Sequence, residues 1–194
     1  MSKSFAKAVV LLAVAILLAA CSPKLDWRTV QSPQESYTAL FPGKPDKIER
    51  RIPYQDQELL QTLEAVKIDD DIYSIGSIYL SKQQTELLAT LLAQLKENLF
   101  RNAGVDQLTA VNSDGMYQTA NHQRMPTKDY FLEFKSTNTT QQAMRVRWII
   151  KPTENGGIWL YQVSILHTGL MQPDVRTFFS TEEYANFFDE FHPN

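Results

Sequence analysis

The sequence predicts an α+β domain: an antiparallel β-sheet packed with two main helices, at about Ser81–Ala103 and Thr181–Phe191. Three observations lead there. Runs such as Ile72–Leu80 and Ala143–Lys151 alternate between two sets of side chains, the period of a strand. Two other segments space their apolar residues three and four apart, the period of an amphipathic helix. The connectors between strand-like runs are short and carry Asp, Asn, Gly and Pro, so successive strands are antiparallel neighbours. The resulting order of strands, helix, strands, helix is that of an α+β fold.

From the N-terminal side, Trp27–Val30 reads as a first strand and Tyr37–Phe41 as a second. Pro42-Gly43 and Pro45 close the second, because proline cannot donate to a ladder. Leu59–Ile68 and Ile72–Leu80 read as a hairpin across Asp69-Asp70-Asp71. Ile72, Ser74, Gly76, Ile78 and Leu80 alternate with Tyr73, Ile75, Ser77 and Tyr79, so both sides of that strand carry apolar residues and the sheet is expected to be covered on both faces. Ser81 and Gln84 are spaced as a capping box at the start of the clearest helix. Leu87, Leu88, Leu91, Leu92, Leu95, Leu99 and Phe100 form its stripe, and Gly104 is placed to stop it.

Strands are then expected at Gln107–Asn112, Met116–Asn121, Tyr130–Lys135, Ala143–Lys151 and Ile158–Leu166. Turn residues separate them at Asp114-Gly115, Thr137–Thr140 and Asn155-Gly156-Gly157. The closing helix has Ser180 as expected N-cap with Glu183 three residues on, and Phe179 is placed to staple onto Tyr184. Phe187, Phe188 and Phe191 share one face of it.

Phe41-Pro42-Gly43-Lys44-Pro45 after a short strand, one amphipathic helix after the early strands, and a closing segment Asn186-Phe187-Phe188-Asp189-Glu190-Phe191 together resemble the PsbP-like group. That group includes an extrinsic photosystem II subunit, a nuclear-import factor that binds the Ran GTPase, and bacterial envelope proteins. The resemblance spans nearly the whole chain after residue 20 and implies the same α+β fold. It carries over no site residue, since the fold hosts unrelated binding tasks.

Residues 1–20 have the layout of an export signal: Lys3 and Lys7, then thirteen apolar residues from Ala8 to Ala20. That stretch is too short to span a bilayer, which takes about 20 residues as a helix. It ends in Leu18-Ala19-Ala20-Cys21, which resembles the lipobox of bacterial lipoproteins. The resemblance implies cleavage before Cys21 and acyl chains on that residue, and two or more chains give stable membrane anchoring. Cys21 is the only cysteine of the chain, so it has no intramolecular disulfide partner. Ser22, where aspartate is an inner-membrane retention signal, favours the periplasmic leaflet of the outer membrane in a Gram-negative host. Residues 21–35 are expected to be a lipidated N-terminus and short tether, or a first strand, reaching at most about 45 Å at ~3.3 Å per residue. Residues 36–194 are expected to be a single domain.

From Cys21 onward there are 17 basic and 22 acidic residues, a formal charge of −5. Nucleic acid is therefore not an expected partner, because phosphate binding needs a concentrated basic excess. His122, His167 and His192 are scattered and match no metal-ligand spacing. Adjacent carboxylates on an extended chain point in different directions, so Asp69-Asp70-Asp71 reads as a solvated hairpin tip, not a calcium loop. Ile75-Gly76-Ser77 lacks the second glycine of a nucleophile elbow and lies in a strand. No cofactor or catalytic set is expected.

Arg145, Arg147 and Lys151 fall on one side of the Ala143–Lys151 strand and form a candidate interaction surface, unless the arginines pair across strands with Glu133 or other carboxylates. The functional expectation is a lipid-anchored envelope protein whose non-enzymatic domain contacts an envelope protein partner. The alternative is a carrier or sensor of an apolar ligand such as a lipid. It would hold its ligand in a pocket lined by the Leu87 helix or by the final, aromatic helix.

Overall fold

The computed structural model describes residues 25–134, 142–170 and 174–194. Among the described residues ten strands form two antiparallel sheets: β1 (Arg28–Ser32), β2 (Tyr37–Phe41), β3 (Asp46–Tyr54), β4 (Gln57–Ile68), β5 (Asp71–Leu80), β6 (Val111–Gln118), β7 (Arg124–Phe134), β8 (Gln142–Pro152), β9 (Ile158–His167) and β10 (His192–Pro193). The large sheet has the order β3-β4-β5-β9-β8-β7-β6, and the small one the order β1-β2-β10. The helices are α1 (Leu88–Ala103), α2 (Val175–Phe178) and α3 (Glu182–Asp189). Strands hold 52% of the described residues and helices 21%, so the fold is mostly antiparallel sheet with a few helices and more sheet-rich than expected.

Alternation along the central strands divides the core in two. Tyr73 and Ile75 of β5 and Tyr161, Val163 and Ile165 of β9 point to one face. The small sheet and α3 cover them there with Tyr37, Phe41, Phe187, Phe188 and Phe191. Ile78, Leu80, Leu160, Val146 and Trp148 point to the other face, where Leu87 and, from α1, Leu91 and Phe100 cover them. The apolar residues on both sides of the Ile72–Leu80 run are explained by this double cover.

Several element boundaries differ from expectation for identifiable reasons. The first helix opens with a 3-10 segment, Lys82–Leu87, before α1 begins at Leu88. The Ser81 amide donates to Gln84 Oε1 at 3.1 Å. Gly104 ends α1 in the left-handed region at φ 66°, where a side chain is strained. The last helix is shorter than expected, and Thr181, not Ser180, is its N-cap. Ser180 Oγ instead donates to Arg176 O at 2.6 Å and closes α2.

β3 was not expected because its sequence is charged and its first six residues are exposed in succession. It is the edge of the large sheet, where charge discourages pairing with other chains. Asp114-Gly115 is not a turn but lies inside the continuous strand β6, paired with Lys128 and Thr127. The reversal occurs at residues 119–122, with His122 at φ 59°. The expected Thr137–Thr140 turn and Lys135 lie outside the described residues.

Candidate functional site

Asp129 on β7 stands directly opposite Arg147 on β8, with Arg145 two residues along on the same face. Arg147 donates from Nε to Asp129 Oδ1 at 2.6 Å and from Nη2 to Oδ2 at 2.9 Å. Arg145 Nη2 donates to the same Oδ2 at 2.6 Å. Remaining donors reach backbone: Arg147 Nη1 to Phe188 O at 2.9 Å and Met116 O at 3.2 Å, and Arg145 Nη1 to Phe179 O at 3.0 Å. Burial alone would raise the Asp129 carboxyl, but hydrogen bonds and charge from the two arginines outweigh it and hold it below the usual carboxylate range.

These contacts correct the expectation of an exposed basic stripe. Arg145 is 7% exposed and Arg147 is 1% exposed, because the terminal helices and the β6–β7 hairpin cover this face, and Lys151 alone keeps partial exposure. The cross-strand carboxylate is Asp129, not Glu133, which lies opposite Ala143. The arginines tie β7, β6 and the last turn of α3 together.

That tie shapes the opposite face of the sheet. β7 pairs with β8 only from Asp129 to Phe134, against Gln142–Arg147. The distal half of the β6–β7 hairpin is held elsewhere, by the Arg147 bond to Met116 O and by Ala120 N donating to Pro193 O at 3.1 Å. Gly115 permits this course, since a Cβ there would lie 3.1 Å from Arg147 Nη2. Pro126 adds to the separation, having no amide proton to give a neighbour.

Where the strands part, a groove of about 550 Å³ opens between α1, β7 and β8, with Asp114 and Tyr117 of β6 also on its wall, within the range of small-ligand sites. Leu92 and Lys96 come from α1, Met125 and Tyr130 from β7, and Trp148 and Ile150 from β8. Lys96 Nζ lies 5.4 Å from the Tyr130 ring centre and 5.3 Å from that of Trp148, a cation held on aromatic faces. Trp148 is fixed by its indole N–H donating to Gln162 Oε1 at 3.1 Å, while Met125 and Ile150 are each 37% exposed. The lining offers apolar contact area, rigid aromatic rings, an ion pair between Lys128 and Asp114 at 3.1 Å, and the Lys96 cation on the rings.

The other residues singled out in the sequence lie apart from this groove. Cys21 lies outside the described residues. Asp71 is not a solvated carboxylate: His167 Nδ1 lies 2.7 Å from its Oδ1, and the Tyr184 hydroxyl donates to Oδ2 at 3.0 Å. Asp69 and Asp70 form the exposed tip of the β4–β5 turn. His122 and His192 do converge on Gln118, beside Glu190. Among the described residues no group of three or more His, Cys, Asp or Glu side chains is placed to hold a metal ion. Tyr161, Phe179, Tyr184, Phe187, Phe188 and Phe191 are buried, so the aromatic C-terminal segment is core.

Sequence reasoning missed one further cluster. Ser32 Oγ lies 2.6 Å from both Glu35 Oε2 and Glu64 Oε1, and Lys47 Nζ donates to Glu35 Oε1 at 2.7 Å. Burial pushes the Glu35 carboxyl up, yet the hydrogen bonds from Lys47 and Ser32 and the Lys47 charge prevail and lower it. With Tyr161 Oη donating to Glu35 O at 2.7 Å, this cluster joins the small sheet to the large one. No signal in the sequence marks it, because Glu64 is one carboxylate in an ordinary alternating strand.

Among the described residues no helix is long and apolar enough to cross a membrane. In comparisons with known proteins, the chain matches no family model, no curated protein and no solved structure.

Proposed function

We propose that the protein is a lipid-anchored envelope protein whose domain works by binding a partner and not by turnover. The groove carries the binding part of this reading: it combines a firm aromatic floor with exposed aliphatic side chains, the Lys96 cation and a Lys128–Asp114 ion pair, and its lining presents contact area instead of a nucleophile beside a base. Leu18-Ala19-Ala20-Cys21 supports the anchoring part. β1 begins at Arg28, seven positions after Cys21, which shortens the expected tether to at most about 23 Å at ~3.3 Å per residue. The domain would then stand close to the lipid surface, at the periplasmic leaflet of the outer membrane in a Gram-negative host. The likeness to the PsbP-like group belongs to the same proposal and adds no site to it.

Intact mass spectrometry of membrane-extracted protein, wild type beside Cys21→Ala, tests the anchor. The wild type is expected to begin at Cys21 and carry acyl mass, and the variant to leave the membrane fraction or stay unprocessed. A soluble, unacylated wild type would remove the anchor from the proposal.

A second reading, a carrier of an apolar ligand, is favoured by Leu92, Met125, Tyr130, Trp148 and Ile150 sharing one cavity. Native mass spectrometry of gently purified protein is expected to show a retained small molecule under that reading. Bare protein from repeated preparations would count against it.

A further inference from the structure

We infer that the groove receives an extended polypeptide segment, which adds as a strand to the unpaired edge of β8. The inference rests on the reading of the groove as a binding site and names the class of its occupant.

β8 runs on to Pro152 with β9 as its ladder partner, but β7 leaves it after Arg147. From Trp148 onward one edge of β8 therefore lacks a strand. At Trp148 the missing neighbour is replaced by a side chain: Thr127 Oγ1 donates to Trp148 O at 3.3 Å, so that carbonyl faces the gap. Backbone groups in a strand alternate between edges, so the N–H and C=O of Ile150 face the gap as well. A row of such groups beside an apolar groove is a template for strand addition, in which main-chain bonds give affinity and alternate side chains give specificity.

The shape of the groove favours a peptide over an enclosed small apolar ligand. Met125 and Ile150 are too exposed to seal a hydrocarbon chain from water, whereas an added strand would cover both. The hairpin cannot simply swing back to close the gap, since the Arg147–Met116 and Ala120–Pro193 bonds hold it on the other face. Charge selects the occupant further. Among the described residues Lys96 has no carboxylate partner and rests on Tyr130 and Trp148, so an acidic side chain of the incoming segment can pair with it. The occupant is thus an extended segment alternating apolar residues, with an acidic residue placed to reach Lys96.

The test is to pan a phage library of random short peptides against the detergent-solubilised full chain and to titrate a selected peptide made synthetically. Selected peptides should alternate apolar residues and carry an acid. The bound peptide should slow hydrogen exchange at the Ile150 amide. Ile150→Pro, which removes that donor, should weaken binding about tenfold, the size of one lost hydrogen bond. Lys96→Glu should weaken the acidic peptide but not its Gln counterpart. If Ile150→Pro fails to fold, exchange at Ile150 and the Lys96→Glu titration decide alone.

Absence of enrichment, or binding that leaves the Ile150 amide unprotected, would overturn strand addition. Sodium dodecanoate, titrated in parallel, separates the two levels. If it occupies the groove and no peptide does, strand addition falls while the groove remains a binding site. If neither binds, the binding reading falls with it.

Discussion

The two faces of the large sheet are covered to different ends. On one, the small sheet and the terminal helices close over aromatic rings and a buried ion cluster, leaving Tyr161, Val163, Phe187 and Phe188 without measurable exposure. On the other, the 3-10 segment and α1 cover the centre, and the sheet splits beside them into an open groove. The Arg147 bond to Met116 O and the Ala120 bond to Pro193 O hold the distal hairpin on the closed face, away from the edge of β8. Stability and accessibility are thus assigned to opposite sides of the same strands.

The sharpest way to break this comparison is to remove the counter-ion from the closed face. Asp129→Ala leaves two buried guanidinium groups without their shared carboxylate and is expected to cost about 3 to 5 kcal/mol in urea unfolding. A loss below 1 kcal/mol would mean that the arginines find water, and that this face is not closed. Next in size, Leu91→Ala should cost about 3 kcal/mol, because Leu91 is 2% exposed and its removal leaves a void under α1. An unchanged unfolding midpoint would show α1 to be a loose cover.

Acid should act on the closed face too. The folded-state values of Asp129 and Glu35 are lowered, so their contribution is fully present above the ordinary carboxylate range, about pH 4, and is lost as pH falls through the lowered values. The urea midpoint should therefore hold steady from neutral pH to about 4 and fall below that. A midpoint that rises with acidification would contradict the sign of both shifts. The smallest effect belongs to the groove: Lys96→Ala should change stability by no more than about 0.5 kcal/mol, as for a surface site. If it costs as much as Leu91→Ala, the groove is core and the contrast between the faces disappears.

How much of this was legible depends on whether local pattern or register decides the feature. Tyr37–Phe41 was read with its observed limits, and Ile158–Leu166 to within a residue, because alternation and flanking turns fix both. The capping residues and Gly104 located the first helix segment for the same reason. The arginine pair was placed on one face, but its partner was not found. Whether Glu133 or Asp129 faces Arg147 depends on strand register, which the spacing within either strand does not contain. Gly115 misled for a related reason: beside Asp114 it looks like a turn, while its role is to let Arg147 pass close by. The groove had no signature at all. Lys96, Tyr130, Trp148 and Ile150 come from three elements and meet only because two strands diverge.

β1 also has a mechanical meaning. It is held to β2 by five antiparallel pairs running from Arg28↔Phe41 to Ser32↔Tyr37, with Trp27 resting edge-on against Tyr73 just before them. A pull on the chain ahead of Leu25, directed across the β1 axis, would load these pairs one after another, as in opening a zip. β2 would stay paired with β10 while β1 peels away. The five freed residues would lengthen the extended chain by about 17 Å at ~3.4 Å each, with release of Ser32 from Glu35 and Glu64 as the last step.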